Sequence, residues 1–306
     1  MPDFSGATAY NTSATPGAVT PFPTVFLYNQ DRIATTASTY DAFNKVWQAA
    51  LGSEVPQAGR GHAVQAPGAA LVDFTGTLTS GSVSRANLQR PSADPVTGWH
   101  LLGNPFSISL DWSTMSVGTT AANNLQDVDG AVYVFQSSGP YVGSYCTYLA
   151  SALGLGSPLI PTGSGFVVHT TAPATPGTVR FFDANRVTTF GAQPAFGRST
   201  DVRPRLTLEV RGVGGRDAVT VYADPAATGG VDAAYDAIKL PNPTGLNLSA
   251  RVGSTPLAID GLPVFSAAKV VPLTVGVPAA GIYALAVNQL LNLPRRHHDR
   301  AGRHPA

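Results

Sequence analysis

Cysteine, lysine and glutamate are almost absent from this sequence of 306 residues. The single cysteine, Cys146, excludes a disulfide within the chain and a cysteine-based metal site. Lysine occurs three times and glutamate only twice. Because both residues favour the exposed faces of helices, their scarcity argues against a mainly helical protein.

Charge of either sign is also sparse. Charged residues make up 12% of the sequence, whereas an average soluble domain has about 25%. The net charge of +1 comes from residues 295–306, outside which 15 basic residues stand against 17 acidic ones. This balance leaves no basic surface for nucleic acid or anionic lipid, so we expect no nucleic-acid partner.

Long apolar runs are missing as well. No stretch approaches the roughly 18 uninterrupted apolar residues of a membrane span, so the sequence predicts none. The N-terminus, Met1-Pro-Asp-Phe-Ser, has neither the basic start nor the apolar run of a signal peptide. Taken alone, these two absences would indicate a cytoplasmic protein.

Glycine and proline are abundant, with 32 and 25 copies, and they separate short apolar stretches. Without a Gly-X-Y period, this composition indicates frequent turns between short strands. The sequence therefore predicts an all-β fold with two β-sandwich-like domains. Residues 1–200 form a β-rich domain, residues 201–293 an incomplete immunoglobulin-like β-sandwich, and residues 294–306 a basic His/Arg tail without structure.

One short helix and an internal duplication are predicted within the first domain. Apolar residues recur at helical spacing from Tyr40 to Leu51, which predicts a helix over residues 38–51. Residues 24–83 and residues 98–190 contain the same series of features. In each, an apolar strand is followed by a proline with Gly-x-Gly, a strand, a turn and another strand. We interpret this order as a duplicated β-unit, and chance similarity between glycine-rich hairpins is the alternative.

Four motifs occur in the order found in a family of secreted proteins. They are Gly98-Trp-His-Leu-Leu-Gly-Asn-Pro-Phe106 with Asp111-Trp112, Val128-Asp-Gly-Ala-Val-Tyr133, Ile160-Pro-Thr-Gly-Ser-Gly-Phe-Val-Val168, and a last block from Val221 to Leu240. Together they resemble Bacteroidetes surface proteins exported by the type IX secretion system, over residues 24–293. Ser164 departs from the glutamine that the family usually has in the third motif.

The resemblance implies an extracellular or outer-surface location. It also implies a fragment of a longer protein, in the region that precedes a C-terminal sorting domain. The function expected from it is that of a non-catalytic structural or adhesive β-sandwich module of a secreted surface protein. Polysaccharide or other cell-surface components are the expected partners.

Three tyrosines carry the alternative function, a carbohydrate-binding accessory region of a secreted enzyme. Tyr141, Tyr145 and Tyr148 lie close together in the sequence. Planar rings that share one exposed face would stack on sugars. Packing of the same rings in the core is the other interpretation, and complete burial would count against binding.

Catalytic motifs are missing from the sequence. It holds no Gly-x-Ser-x-Gly elbow, no glycine-rich phosphate loop with its lysine, and no His-Glu-x-x-His pair. We therefore expect no enzyme and no catalytic residue. A hydrolase with two aspartates facing each other across a cleft, about 5–9.5 Å apart, is the remote alternative.

Calcium is the one cofactor that the sequence suggests. Asp127 and Asp129 lie in a stretch similar to part of a calcium loop, but the preceding acid and the distal glutamate of an EF-hand are missing. Asp224, Asp232 and Asp236 fall within thirteen residues and form the second candidate cluster. Turns and caps are the alternative explanation for all five, since aspartate commonly bonds its own backbone.

Overall fold

The computed structural model of the chain is built from short β-strands. It describes residues 25–30, 46–50, 55–64, 76–94, 97–139, 142–150, 153–154, 157–188, 202–213, 215–266 and 269–293. Within these ranges there are twenty-one strands and no α-helix, so the predicted all-β class is confirmed. No helix in the described part of the chain is long and apolar enough to cross a membrane.

A five-stranded sheet, here called the central sheet, lies at the middle of the fold. Its spatial order is β11 (Leu153–Gly154), β10 (Val142–Leu149), β9 (Ala131–Gly139), β13 (Gly165–His169) and β5 (Trp99–Gly103). All of its pairings are antiparallel. Its inner strands are rich in valine and aromatic residues, which suit a sheet that is buried on both faces.

A four-stranded sheet and a two-stranded sheet cover one face of the central sheet. The four strands are β4 (Val83–Leu88), β14 (Gly177–Phe181), β8 (Leu125–Gln126) and β7 (Val117–Gly118), and the two are β12 (Leu159–Ile160) and β6 (Leu110–Asp111). One core cluster joins them to the central sheet through Phe166, Val168, Val179, Phe181 and Trp112. These large side chains are shielded from solvent, so this pair of layers is a true β-sandwich.

A seven-stranded sheet covers the other face of the central sheet. Its order is β20 (Leu273–Gly276), β18 (Asn247–Val252), β19 (Thr255–Leu262), β16 (Gly215–Ala223), β15 (Arg205–Gly212) and β21 (Ala284–Leu291), with β17 (Ala237–Ile238) paired to β19. A second core cluster places Trp99, Tyr133 and Val167 of the central sheet against Val221 and Ile259 of this one. These sheets are thus stacked in three layers, with the central sheet in the middle.

The immunoglobulin-like sandwich expected over residues 201–293 stays a prediction. The strands of that half are joined by hydrogen bonds into one sheet, and the central sheet packs against it. Tyr133 reinforces the contact, since its Oη donates a hydrogen bond of 2.6 Å to the carbonyl of Ile238. The domain boundary near residue 200 stays a prediction, and residues 189–201 lie outside the described ranges.

A three-stranded sheet precedes the central sheet in sequence. Its order is β2 (Trp47–Ala49), β1 (Val25–Tyr28) and β3 (Ala63–Val64). The helix predicted over residues 38–51 is therefore wrong at its C-terminal end, where Trp47 pairs with Tyr28. The two rings pack edge to face with centroids 5.4 Å apart, a cross-strand contact that outweighs the helical spacing. Residues 31–45 lie outside the described ranges.

The predicted duplication has a partial counterpart in the pairing of the strands. β1 pairs with β3 in an antiparallel manner, and β9 pairs with β13 in the same manner. The third matching strand, predicted over residues 72–78, falls mostly outside the described ranges, and residues 76–78 are not in a strand. The duplication thus stays a prediction.

The two edge strands of the seven-stranded sheet are apolar and exposed. On β21, Leu285, Val287 and Leu290 are 55%, 60% and 58% exposed, and the strand holds no charged residue and no proline. Proteins normally protect such edges with lysine, proline or a covering loop, because an open edge pairs with another chain. We therefore expect the isolated chain to aggregate.

Replacing Val287 with lysine should raise the soluble concentration of the chain by about several-fold, because a charge on an edge strand opposes strand pairing between copies. Static light scattering and sedimentation at increasing concentration would measure it. Val231→Lys is the matched control, since Val231 is 45% exposed in a loop. A wild-type chain that stays monomeric, with a cooperative transition at high temperature, would contradict the expectation.

Candidate functional site

The tyrosines predicted to bind carbohydrate do not share an exposed face. Tyr145 and Tyr148 lie on β10, three residues apart, so they point to opposite sides of the central sheet. Tyr145 packs against the core shared with the seven-stranded sheet, and burial raises its pKa to about 12. Tyr148 belongs to the opposite core. Tyr141 lies outside the described residues, so the predicted strip is not formed by the other two.

Asp127 and Asp129 make different contacts and do not form a shared site. Asp127 adopts a left-handed backbone conformation, with φ of 54°, and its carbonyl accepts a hydrogen bond from the amide of Thr171. The side chain of Asp129 is buried, and its Oδ2 lies 2.6 Å from Nδ1 of His169. The first residue therefore shapes a turn and the second pairs with a histidine.

The second aspartate cluster is held by bonds to its own loop. Oδ1 of Asp224 accepts from the amide of Ala226, and its Oδ2 lies 3.2 Å from a guanidinium nitrogen of Arg203. Oδ2 of Asp232 accepts from the amide of Thr228 at 2.6 Å. These are the turn and capping bonds that were the alternative to calcium.

Asp236 is the most enclosed of the five. Its Oδ1 accepts from the amide of Gly261 at 2.7 Å, and its Oδ2 accepts from the amide of Asp232 at 2.6 Å. Burial raises its pKa to about 7, with a smaller contribution from the charge of Asp260. Among the described residues, no group of three or more histidine, cysteine, aspartate or glutamate side chains has an arrangement that would hold a metal ion. The structure therefore does not assemble the predicted calcium ligands.

A buried histidine–aspartate pair lies at the end of β13. Nδ1 of His169 faces Oδ2 of Asp129, and Nε2 lies 3.0 Å from the carbonyl oxygen of Thr97. A carbonyl oxygen can only accept, so Nε2 donates to Thr97, and Nδ1 shares its hydrogen bond with the carboxyl group of Asp129. The indole of Trp99 packs on the ring with centroids 4.6 Å apart. Neither nitrogen is left to take a proton from a substrate, so the pair is structural.

A second buried ion pair joins Asp217 of β16 to Lys239, the residue that follows β17. Nζ of Lys239 lies 2.8 Å from Oδ1 and 2.6 Å from Oδ2 of Asp217. Oδ2 also accepts from the amide of Leu248 at 2.6 Å. The nearby thiol of Cys146 is half-buried, and burial raises its pKa, which disfavours the thiolate that a nucleophile would need.

A polar groove of about 340 Å³ lies between β1, β4 and β5. Its polar lining consists of Tyr28, Asn29, Gln30, Arg60, Arg85, Asn87, Gln89 and His100. No carboxylate, thiol or serine belongs to this lining among the described residues. The groove therefore offers mainly hydrogen-bond donors and two positive charges. We call it the arginine groove.

Backbone irregularities on two sides shape the arginine groove. On β4, Ala86 and Asn87 oppose a single residue of β14, which is a β-bulge, and Asn87 adopts a φ of 60°. Bulges re-aim side chains and occur often beside functional sites. On the other side, Gly61 lies so close to β5 that an added Cβ would be 2.4 Å from the carbonyl oxygen of Leu102. Glycine at 61 is thus what lets Arg60 approach the sheet.

His100 contributes to the groove as a neutral ring. Its Nε2 lies 2.9 Å from the carbonyl oxygen of Gln89, to which it donates. Burial lowers the pKa of His100 to about 4. At neutral pH the positive charge of the groove therefore comes from Arg60 and Arg85, since arginine remains protonated in proteins.

Sequence reasoning missed the arginine groove. The Gly59-Arg60-Gly61 segment was a visible signal, but its Gly-x-Gly pattern indicated only a repeated hairpin. Gln30 and Arg85 stand in unremarkable sequence, and the fold alone brings them together. Only a prediction of which strands become neighbours would have found them.

A family model described as "Domain of unknown function (DUF8693)" matches residues 11–296 of the chain. A search of curated proteins gave no match, and a search of solved structures gave none either. Any function therefore has to be inferred from the residues of the chain itself.

Proposed function

The chain belongs to the family described as "Domain of unknown function (DUF8693)", and from its architecture we propose that it is a non-catalytic structural or adhesive module of a secreted surface protein. One observation carries the proposal. The buried pairs His169–Asp129 and Lys239–Asp217 are closed into internal bonds, and the described lining of the arginine groove holds donors without a nucleophile or an acid–base pair.

The buried pairs support a structural role for reasons of geometry. A catalytic histidine needs one ring nitrogen that faces substrate, and both nitrogens of His169 are engaged. A catalytic lysine needs a free amine, and Nζ of Lys239 is held between two carboxylate oxygens. Each pair ties a strand residue, His169 or Asp217, to a residue outside the strands and leaves no group of the pair free to react.

The remote alternative, a hydrolase with paired aspartates, gains no support from these contacts. Asp232 and Asp236 are neighbours, but each directs carboxylate oxygens to backbone amides. Asp236 is only 2% exposed. A general base has to reach a substrate or a water molecule, and these oxygens are already engaged.

The proposed location rests on the resemblance to proteins of the type IX secretion system. Its motifs supply residues of the core and of the loops that support it. Trp99 lies in β5, Phe166 in β13, and the indole nitrogen of Trp112 donates to the carbonyl of Gly130 at 2.9 Å. The resemblance therefore concerns the packing that defines the fold. We propose an outer-surface location in a bacterium of the Bacteroidetes.

Two assays test the proposal together. The purified chain should be retained on cell-envelope polysaccharide and release no product from polysaccharide, glycoside or peptide substrates over a day. In cells of the source bacterium, antibody labelling should find the protein outside, and loss of type IX secretion should trap it inside. Turnover of any substrate, or an unchanged cytoplasmic pool in both strains, would refute it.

A further inference from the structure

The arginine groove carries an inference beyond a general adhesive role. We propose that it binds the carboxylate of an acidic sugar, with Arg85 as the charged contact and Gln30 as a neutral donor. This inference rests on the proposed function, because it names the ligand class of a binding module. The chemistry is that of a uronate residue in a polysaccharide.

Arg85 is the strongest observation. Its Nη1 donates to Oε1 of Gln57 at 2.9 Å, but its Nε is buried and has no hydrogen-bond partner. A buried charged donor without a partner is costly, and an oxygen of a bound anion would satisfy it. Burial lowers the pKa of Arg85, and the nearby positive charge of Arg60 lowers it further, which shows that the two cations share one neighbourhood.

Gln30 supplies a second unpartnered donor. The residue is 5% exposed, and its Oε1 accepts from the amides of Gly98 and Trp99 at 3.0 and 2.9 Å. These two bonds fix the orientation of the side-chain amide. Its Nε2 is buried without a hydrogen-bond partner, and Gln30 belongs to the lining of the groove. An acceptor from a ligand would complete this group as well.

Several features favour a sugar over a simple anion. The groove volume of about 340 Å³ lies within the range of about 300–1,000 Å³ usual for small-molecule sites, and it far exceeds what one inorganic ion needs. The rim carries the amide side chains of Asn29, Asn87 and Gln89, which bond hydroxyl groups as donors and as acceptors. The expected ligand therefore combines one carboxylate with several hydroxyls.

Isothermal titration of the full chain with a galacturonate oligosaccharide, and with the neutral galactose oligosaccharide of the same length, tests the inference. We expect binding of the acidic sugar that weakens as salt is raised, and no measurable heat with the neutral one. Arg85→Gln should weaken binding by about tenfold or more, since it removes a charged donor. Arg251→Gln is the matched control, because Arg251 is exposed on the seven-stranded sheet.

Gln30→Glu keeps the inference testable if Arg85→Gln fails to fold. The two side chains have the same shape, so Oε1 would keep its bonds to the amides of Gly98 and Trp99. The new carboxylate would interact with the positive charges of the two arginines in place of the carboxylate of the ligand. We expect folding to be retained and binding of the galacturonate oligosaccharide to be lost.

Each outcome separates this inference from the proposed function. Equal binding of an acidic peptide or of inorganic phosphate would overturn the assignment to a sugar, and so would unchanged affinity in Gln30→Glu. In either case, retention on cell-envelope polysaccharide would leave the adhesive role standing. Cleavage of the galacturonate oligosaccharide would instead overturn the proposed function itself.

Discussion

Replacing Lys239 with methionine should lower the free energy of unfolding by about 3–5 kcal/mol. The substitution leaves the carboxylate of Asp217 inside the fold without its cation. Both side chains are shielded, with 6% and 4% exposed, so water cannot take over the lost contact. A buried charge that loses its partner is among the most destabilising changes that a single substitution makes.

Urea unfolding followed by tryptophan fluorescence would measure the change. Arg251→Met is the matched control, because Arg251 is exposed on β18, and we expect it to shift the free energy by less than about 0.5 kcal/mol. Adding Asp217→Asn to Lys239→Met should recover part of the loss, since the amide oxygen still accepts from Leu248 without a charge. If the free energy of unfolding fell equally in the single and the double variant, the ion pair itself would be unimportant for stability.

The stability contributed by Asp236 should fall as pH rises from about 4 to about 7. The pKa of its carboxyl is about 7 in the folded chain, whereas an aspartate free in solution, as in the unfolded chain, has a pKa of 3.8. The folded state therefore holds the proton more tightly. This contribution is complete below about pH 4 and is lost as pH rises through the folded pKa.

The size of the effect follows from the shift. One pKa unit corresponds to about 1.4 kcal/mol, so wild type should lose roughly 3–4 kcal/mol relative to a variant that does not titrate at this position. Asp236→Asn is that variant, although its amide satisfies only one of the two backbone donors, Gly261 and Asp232. We expect the variant to be less stable than wild type at pH 4 and the gap to close toward pH 7.

Unfolding curves of both proteins at half-unit steps of pH would give the difference directly. Comparison at each pH removes the contributions of the other titrating groups, because they occur in both proteins. Two stability curves that run parallel from pH 4 to pH 7 would show that burial does not hold the proton on Asp236.

Alternation along the sequence was enough to predict the strands of the second half. Residues 205–210 alternate apolar and polar side chains and form part of β15, and residues 219–222 lie in β16. Low lysine and glutamate content also predicted a mainly non-helical protein, and the described residues contain no α-helix. Both patterns are local. The alternation is visible in the sequence because a half-buried strand needs one apolar face.

The helix predicted over residues 38–51 shows where local patterns fail. Tyr40, Phe43 and Trp47 follow helical spacing, yet Trp47 lies in β2. Short apolar runs fit either structure, and the contact of Trp47 with Tyr28 on β1 decides between them. Composition gives no information about that neighbour.

The site depends on contacts between residues that are distant in sequence. His169 meets Asp129 across 40 residues, and Gln30 meets Trp99 across 69. Arg90 donates to carbonyls of Thr170 and Thr171, and this role is invisible in its own sequence neighbourhood. The sequence around each of these residues does not indicate its role, because its partner is brought close only by the fold.

The order of strands in the seven-stranded sheet has a consequence for synthesis on the ribosome. β15 forms a hairpin with β16 early, but its other neighbour is β21, which comes much later in the sequence. β19 joins β16 in parallel, which also requires a long connection. At typical rates of translation, one edge of β15 stays open for on the order of several seconds. During that interval the unpaired edge of β15 can pair with another copy of the chain.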